Sequence, residues 1–397
     1  MNTTPEPYSK KSSCVYCGDA PINHKLFYYS SMPSVLVDNH ILKVTKYAPD
    51  FLRDLVDFLL KLFFEILLAL GLAQLSTDIN KTKTFRSRVI WEEAIKRGMD
   101  MKQLIIFGKP VDIYLVKIKG KKLYFNSLPI PERLLKMKQN WDDKYILKQA
   151  FLKENIPAPA CIQFPVFLST DLEQIFAKLS KPIIVKPRVG SRGRHTVTNI
   201  HTFEEFKKGV DIAGQICAHL VAEEHLSGYV CRATFVGGEL MGFYRAGTPF
   251  IVGDGKQKIR ELIQEKNENR PDRVESITIG EEIENYISRS GFKIDDVLLK
   301  GEKLSLTHRT GRLFGGATKE MLNELHPSFV PILNKAAKIV ALPVIGFDCI
   351  IPEPTESAEN QKWGIIECNT LPFIDLHYYA LEGKPQNIAG KIWELWD

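Results

Sequence analysis

Between Phe51 and Leu75 the chain is densely apolar, but Arg53, Asp54, Asp57, Lys61 and Glu65 interrupt it. Positions 53, 57, 61 and 65 step by four, so on a helix they make one charged stripe. The pattern predicts an amphipathic helix over 51–75. A membrane-spanning helix would not carry so many charges. The helix therefore packs on its own protein, forms a dimer contact or lies on a membrane surface. A second helix is expected over Lys81–Arg97. Leu104–Phe107 and the alternating runs on either side of Lys119-Gly120 then read as strands, the last two as a hairpin.

Pro129 and Pro131 mark a boundary. Beyond it Asp142 is expected to cap a helix that runs to Glu154, with Asn155 and Pro157 as stop signals. Thr170 and Glu173 form a capping-box pattern for a helix over 171–179, and Thr202 and Glu205 repeat it for a helix ending near Leu220. Pro182 leads into the apolar strand IIVK, then the loop GSRGRH and the strand TVTNI. LVAEEHL reads as another strand. VCRATFV and ELMGFYR flank Gly237-Gly238 as a second hairpin. Residues 255–300 alternate helix and turn signals. VIGFDCII and WGIIECN are β-rich, and an amphipathic helix ends the chain. The fold class is α+β, with an N-terminal mixed α/β domain over 1–135 and a second domain over 140–397.

Composition narrows the class of protein. The chain has 397 residues, 44% hydrophobic and 25% charged, which suits two or three globular domains. A net charge of +6 is mild for this length, so anionic small molecules are expected partners and nucleic acid is not. The seven cysteines follow no disulfide framework, and the polar start MNTTPEPYSKKSS lacks the apolar core of a signal peptide. A reduced cytoplasm is the expected location, without membrane attachment, and a homo-oligomer stays open.

Three constellations carry candidate chemistry. Asp348, Glu367 and Asn369 lie within or at the end of apolar β runs, where acids are rare without a partner. Glu367 and Asn369, two apart on a strand, share a face. Oxygen donors of this kind suit a hard divalent cation; the alternative is that each acid pairs with a nearby Lys or Arg. Lys186 ends the strand IIVK and precedes Gly190, Ser191 and Gly193, a turn whose backbone N–H groups could approach an anion, or which simply connects two strands. Glu223 to Leu226 close a strand whose backbone edge could read an adenine, or which is only a charged edge. Cys14-x-x-Cys17 is half of a zinc site that His24 and His40 could complete; free thiols are the plain alternative.

From about Trp141 onward, the order of these segments resembles the ATP-grasp superfamily. The likeness is closest to the ATP-grasp region of cyanophycin synthetases and more distant to D-alanine–D-alanine ligases. The segments are DDK at 142–144, IIVKPRVGSRGRHTVT, VAEEHLSGYVCRATFVGGEL, VGDGKQKIRELI, LLKGEKLSLTHRTGRLFGG, IGFDCI, IIECNTLPFIDLH and LEGKPQNIAGKI. The resemblance implies two lobes that sandwich ATP. It implies that Lys144 and Lys186 hold phosphates under a flexible loop of Gly190, Ser191 and Gly193. Glu223 and Leu226 would contact adenine, and Asp348, Glu367 and Asn369 would ligate Mg²⁺, as two ions, with Mn²⁺ a chemical substitute. Arg232, Arg245 and Arg309 match arginines that would face phosphate or substrate carboxylate. Val230 stands where the family often has an acid for the ribose. His195 stands where relatives often have Gly, which implies a stiffer loop. Around 307–312 the family's arginine and asparagine are displaced, leaving Arg309 and Arg312 as substitutes.

The activity this implies is ATP-dependent ligation of a carboxylate to an amine through an acylphosphate, with an amino acid or short peptide as substrate. Cyanophycin synthetases continue into a Mur-type ligase module about where this chain ends, so a full two-step polymerase is not expected. The alternative from another class is an ATP-binding regulator or scaffold on a degenerate fold.

Overall fold

The computed structural model describes residues 14–17, 22–33, 50–135, 139–166, 170–190, 193–307 and 309–397. They pack as two units, Met1–Lys43 with Gln139–Leu226, and Val44–Lys138 with Ser227–Asp397. The packing thus cuts across the expected 1–135 and 140–397 domains. Residues 50–135 share a hydrophobic core with the C-terminal region: Val89, Trp91, Tyr114 and Phe125 bury with Val236, Val344, Ile388 and Trp393. Local patterning cannot reveal that, because the pairing spans the whole chain.

The first unit is built on an antiparallel sheet ordered Cys161–Pro165, His219–Glu224, Ile183–Pro187, Val197–Ile200. Helices Leu172–Lys178 and Phe203–Gly214 bury Ile175, Phe206, Val210 and Ala213 with Ile183, Val185, Ile200, Leu220 and Ala222. Each such aliphatic or aromatic side chain contributes on the order of 1.5–3 kcal/mol. The Thr202–Glu205 capping box forms as expected. The helix it starts ends at Gly214 and not near Leu220, since His219 and Leu220 belong to the next strand. Two other caps shift by one residue. Asp143, not Asp142, accepts from the Tyr145 and Ile146 amides at 3.0 and 3.2 Å and starts helix Lys144–Lys153. Asp171, not Thr170, accepts from the Gln174 amide at 2.9 Å, while the Thr170 hydroxyl donates to the Pro165 carbonyl. The helix 24–33 lies on this unit: Phe27 and Ile22 join its core, and the Ser31 hydroxyl accepts from the Ala218 amide.

The second unit holds an antiparallel meander, Ala73–Ser76, Lys102–Ile106, Lys109–Ile118, Lys121–Asn126, and a five-stranded antiparallel sheet ordered Thr318–Glu320, Glu239–Ala246, Tyr229–Val236, Val344–Ile351, Gly364–Asn369. Both expected hairpins are present. Lys119-Gly120 and Gly237-Gly238 have φ of 48° and 79°, and 62° and 86°, the pair of positive values that a two-residue type I′ turn requires. A third core, of Ile251, Ile259, Ile263, Ile287, Leu298 and Leu306, sits under helices Ile259–Glu268 and Glu281–Arg289.

The apolar segment after residue 50 forms helix Asp50–Ala69, shorter than the expected 51–75. Gly71 stops it at φ +71°, with Leu72 N–H donating to Leu67 and Gly71 N–H to Leu68, the paired bonds of a Schellman cap. Residues 73–76 can then enter the sheet. Leu67 packs with Ala73 and Leu104, and Glu65 accepts from Lys122 Nζ at 2.6 Å and Tyr124 Oη at 2.9 Å. Among the described side chains of this helix, Phe58, Leu59, Leu62, Phe63 and Ile66 are exposed. Among the described residues no helix is long and apolar enough to cross a membrane.

Candidate functional site

In the first unit, the helix from Lys144 and the strand Ile183–Pro187 bring a cluster of cations to one place. Lys144, in the first turn of its helix, donates through Nζ to the Gly190 carbonyl at 2.7 Å. One turn later Lys148 is fully buried, with Nζ 2.8 Å from Glu223 Oε2. Lys186 Nζ donates to the other oxygen, Glu223 Oε1. Glu223 therefore lies between two ammonium groups. Burial pushes its carboxyl up, but Lys148 and Lys186 together hold it below the usual carboxylate range. Burial drives Lys148 down to about 8, an effect that the Glu223 charge offsets only in part. Beside them Arg188 grips Asp143 with Nε 3.0 and 2.9 Å from its two oxygens, locking the residue that caps the Lys144 helix.

The turn after Lys186 leaves ordinary backbone space: Gly190 has φ +123° and Gly193 +61°, values that favour glycine. Ser191 lies outside the described residues. Leu226 is buried at the end of this unit. Lys148 is the residue that sequence reasoning missed. Its signal was available, because it stands four residues after Lys144 and so on the same helix face.

In the second unit the strand register assembles the expected acids. Asp348 faces Glu367 on one neighbouring strand and Arg232 on the other, and Gly346 faces Asn369. Directly opposed residues share a sheet face, so all four polar groups lie on one side. Arg232 binds Asp348 bidentately, Nε–Oδ1 2.6 Å and Nη2–Oδ2 2.7 Å, and Asn369 Nδ2 donates to Asp348 Oδ2 at 3.2 Å. Burial alone would lower the Arg232 pKa; the Asp348 charge overcomes it and the guanidinium stays protonated. Gly346 makes room for this arrangement: a Cβ there would stand 2.8 Å from Pro372 Cβ and 3.4 Å from Arg232 Cδ.

Two carboxylates and an amide on one partly exposed face fit a hard divalent cation. The Glu367 carboxylate makes no hydrogen bond or ion pair among the described residues. Asp348 is occupied on one edge by Arg232, but a carboxylate offers about four lone-pair positions and can serve a guanidinium and a cation together.

The structure does not bring every expected arginine to this face. Arg245 opposes Cys231, one residue out of phase with Arg232, so it points to the other side of the sheet, its guanidinium 4.3 Å from the centre of the Tyr229 ring. Arg309 lies over Phe314 at 5.2 Å, and Arg312 pairs with the buried Asp375 at 2.7 Å.

No family model matches the chain. It is similar to the cyanophycin synthetase of Geminocystis herdmanii, 27% identical over 263 residues, which are 64% of this chain and 30% of that protein. It is also similar to the glutathione biosynthesis bifunctional protein GshAB of Clostridium perfringens, 28% identical over 222 residues, 54% of this chain and 28% of that one. The chain thus spans under a third of the length of these relatives. Among solved structures the bifunctional glutathione synthetase of Pasteurella multocida superposes with a TM-score of 0.54 at 21% identity, covering 78% of this chain and 43% of that one.

Proposed function

We propose that this chain, which has the ATP-grasp fold and is related to the cyanophycin synthetases, is an ADP-forming ligase that joins a carboxylate to an amine. The meeting of Asp348, Glu367 and Asn369 on one sheet face carries this reading, because a phosphoryl-transfer enzyme needs hard oxygen ligands for a divalent cation. That cation, Mg²⁺ with Mn²⁺ a substitute, would supply charge neutralisation at the phosphates. Lys144 and Lys186 would add point charges at phosphate oxygens. Glu223 holds Lys186 in place, and the Gly190–Gly193 turn would offer N–H groups. Glu223's side chain being committed to the lysines, any adenine contact from 223–226 would come from the backbone and from Leu226. Arg232 would hold Asp348 in orientation; Arg309 would serve substrate only if its segment moves off Phe314.

In the proposed reaction a substrate carboxylate oxygen attacks the γ-phosphorus and ADP leaves. The amine then attacks the acyl carbon, loses a proton, and phosphate departs with the carboxylate's oxygen. No side-chain nucleophile is needed; positioning and charge carry the rate. The relatives' names point to an amino acid or short peptide as the acid.

The test is isotopic. An ¹⁸O-labelled carboxylate substrate, found by mass spectrometry of products from ATP, Mg²⁺ and pooled amino acids and dipeptides, should yield phosphate carrying one ¹⁸O. Label in AMP, with unlabelled phosphate, would mean an adenylate and overturn the assignment. Glu367→Gln should bind Mg²⁺–ATP more weakly and lose ligation by orders of magnitude. Tight ATP binding with no amide product from any pool would favour a nucleotide-binding regulator instead.

A further inference from the structure

Within the first unit, the segment around Cys14 meets the end of the glycine turn. Cys14 precedes and Cys17 ends the short 3-10 helix Val15–Cys17, where the Cys17 amide donates to the Cys14 carbonyl. His24 opens the helix 24–33. The fourth member is His195, 178 residues beyond Cys17. The His195 amide donates to the Tyr16 carbonyl at 3.0 Å, and its backbone takes φ +50°, a conformation that His tolerates better than most residues. Cys14 Sγ lies 3.4 Å and Cys17 Sγ 3.5 Å from His195 Nε2, and Cys17 Sγ lies 3.0 Å from His24 Nε2. All four ligand atoms fall within 4.8 Å of one another.

We propose that Cys14, Cys17, His24 and His195 form a tetrahedral structural Zn²⁺ site. Zn–S of about 2.3 Å and Zn–N of about 2.0–2.1 Å put neighbouring S and N atoms of a tetrahedron at about 3.6 Å. Of the three sulfur–nitrogen separations given above, two already match, and the third opens by about half an ångström on binding. Two thiolates with two imidazoles are the ligand set of zinc rather than of Mg²⁺ or Ca²⁺. The tautomer is also fixed. His195 Nδ1 sits 2.7 Å from the Ile212 carbonyl, which can only accept, so Nδ1 carries the proton and the Nε2 lone pair faces the sulfurs. Four protein ligands fill a tetrahedral shell and leave no position for a substrate; Cys17 and His195 are buried, Cys14 and His24 half-buried.

The site would tie the first residues of the unit to the strand-joining turn at 190–195. Phe27 supports the same turn, 3.8 Å from where a Cβ on Gly190 would stand. If that turn receives phosphate, which rests on the ligase reading, loss of zinc would also weaken ATP; the metal content itself is independent of that reading.

Full-length chain without a polyhistidine tag, purified in reductant and without chelator, should contain about one zinc per chain by plasma mass spectrometry. Cys14→Ser with Cys17→Ser, and separately His195→Ala, should bring zinc to background, whereas His40→Ala should retain it. Because those variants could misfold, wild-type protein exchanged with Co²⁺ gives a second reading. It should show tetrahedral d–d bands with thiolate charge transfer, and zinc X-ray absorption should give two sulfur and two nitrogen ligands. Zinc lost on gel filtration, a Cys14–Cys17 disulfide in the reduced preparation, an octahedral cobalt spectrum, or zinc lost in His40→Ala but kept in His195→Ala would each overturn the site.

Discussion

Glu223→Gln probes the buried charge cluster of the first unit. The substitution keeps the shape but leaves Lys148 and Lys186 facing an amide, with Lys148 fully buried and Lys186 6% exposed. Breaking a buried ion pair by removing one partner costs about 3–5 kcal/mol. One part of that cost depends on pH. Lys148 titrates near 8, below its ordinary 10.5. Holding it protonated in the native wild type therefore costs about 3 kcal/mol at pH 7. Without Glu223 its folded pKa falls further and the native variant sheds the proton. At pH 7, about one unit below the wild-type value, that limits the extra penalty from this lysine to about 1 kcal/mol. Between pH 8 and 10.5 the unfolded chain binds the proton that the native wild type has lost, so wild-type stability from this group rises with pH. The variant's rise begins lower, so the gap between the two narrows as pH increases. Urea unfolding followed by circular dichroism, with equal m values required, should give a destabilisation of about 3–5 kcal/mol at pH 7 that shrinks by about 1 kcal/mol toward pH 9. A destabilisation under about 1 kcal/mol at pH 7, or one that grows toward pH 9, would refute the buried-pair account.

Two further variants separate binding from folding. Lys186→Ala should weaken ATP tenfold or more in calorimetry, since a charge-assisted phosphate contact is worth about 1.5–3 kcal/mol. Its fold should survive because Glu223 keeps Lys148 at 2.8 Å, and unchanged affinity would remove Lys186 from the site. Gly346→Ala puts a methyl 2.8 Å from Pro372 Cβ, closer than contact allows, so it should lower stability by about 1–3 kcal/mol in thermal or urea unfolding and weaken Mn²⁺ binding by displacing Arg232. A fully stable Gly346→Ala would mean that the Pro372 loop yields freely.

What sequence could and could not reveal follows from how far each feature reaches along the chain. Lys119-Gly120 and Gly237-Gly238 are legible because a two-residue turn with two positive φ values is a local demand. The Thr202–Glu205 box is legible for the same reason, whereas next to adjacent candidates the cap slips by one, to Asp143 and Asp171. The shared face of Glu367 and Asn369 follows from the period of a strand. That Asp348 joins them from the neighbouring strand, and that Arg232 takes Asp348 from the other side, depends on sheet order, which no run of residues encodes. The resemblance pairs Arg245 with Arg232 as arginines facing phosphate or carboxylate, and a one-residue difference of phase puts Arg245 on the opposite face.

The cysteine pair shows the same limit in its sharpest form. Reading outward from Cys14 and Cys17, the nearest histidines in sequence are His24 and His40, and a search by distance along the chain stops there. The fold instead brings in His195, 181 residues from Cys14, because the strands on either side of the glycine turn must run antiparallel. Their connection then ends beside the segment that packs Phe27 and Ile22 into the same core. A histidine at 195 looked like a departure that stiffens a loop. In the folded chain its ring is held by the Ile212 carbonyl and its Nε2 faces both sulfurs. Position 195 thus tolerates an unusual residue in a strained conformation because that residue has partners. An uncompensated φ of +50° at a bulky residue would cost about 1 kcal/mol or more and would favour glycine.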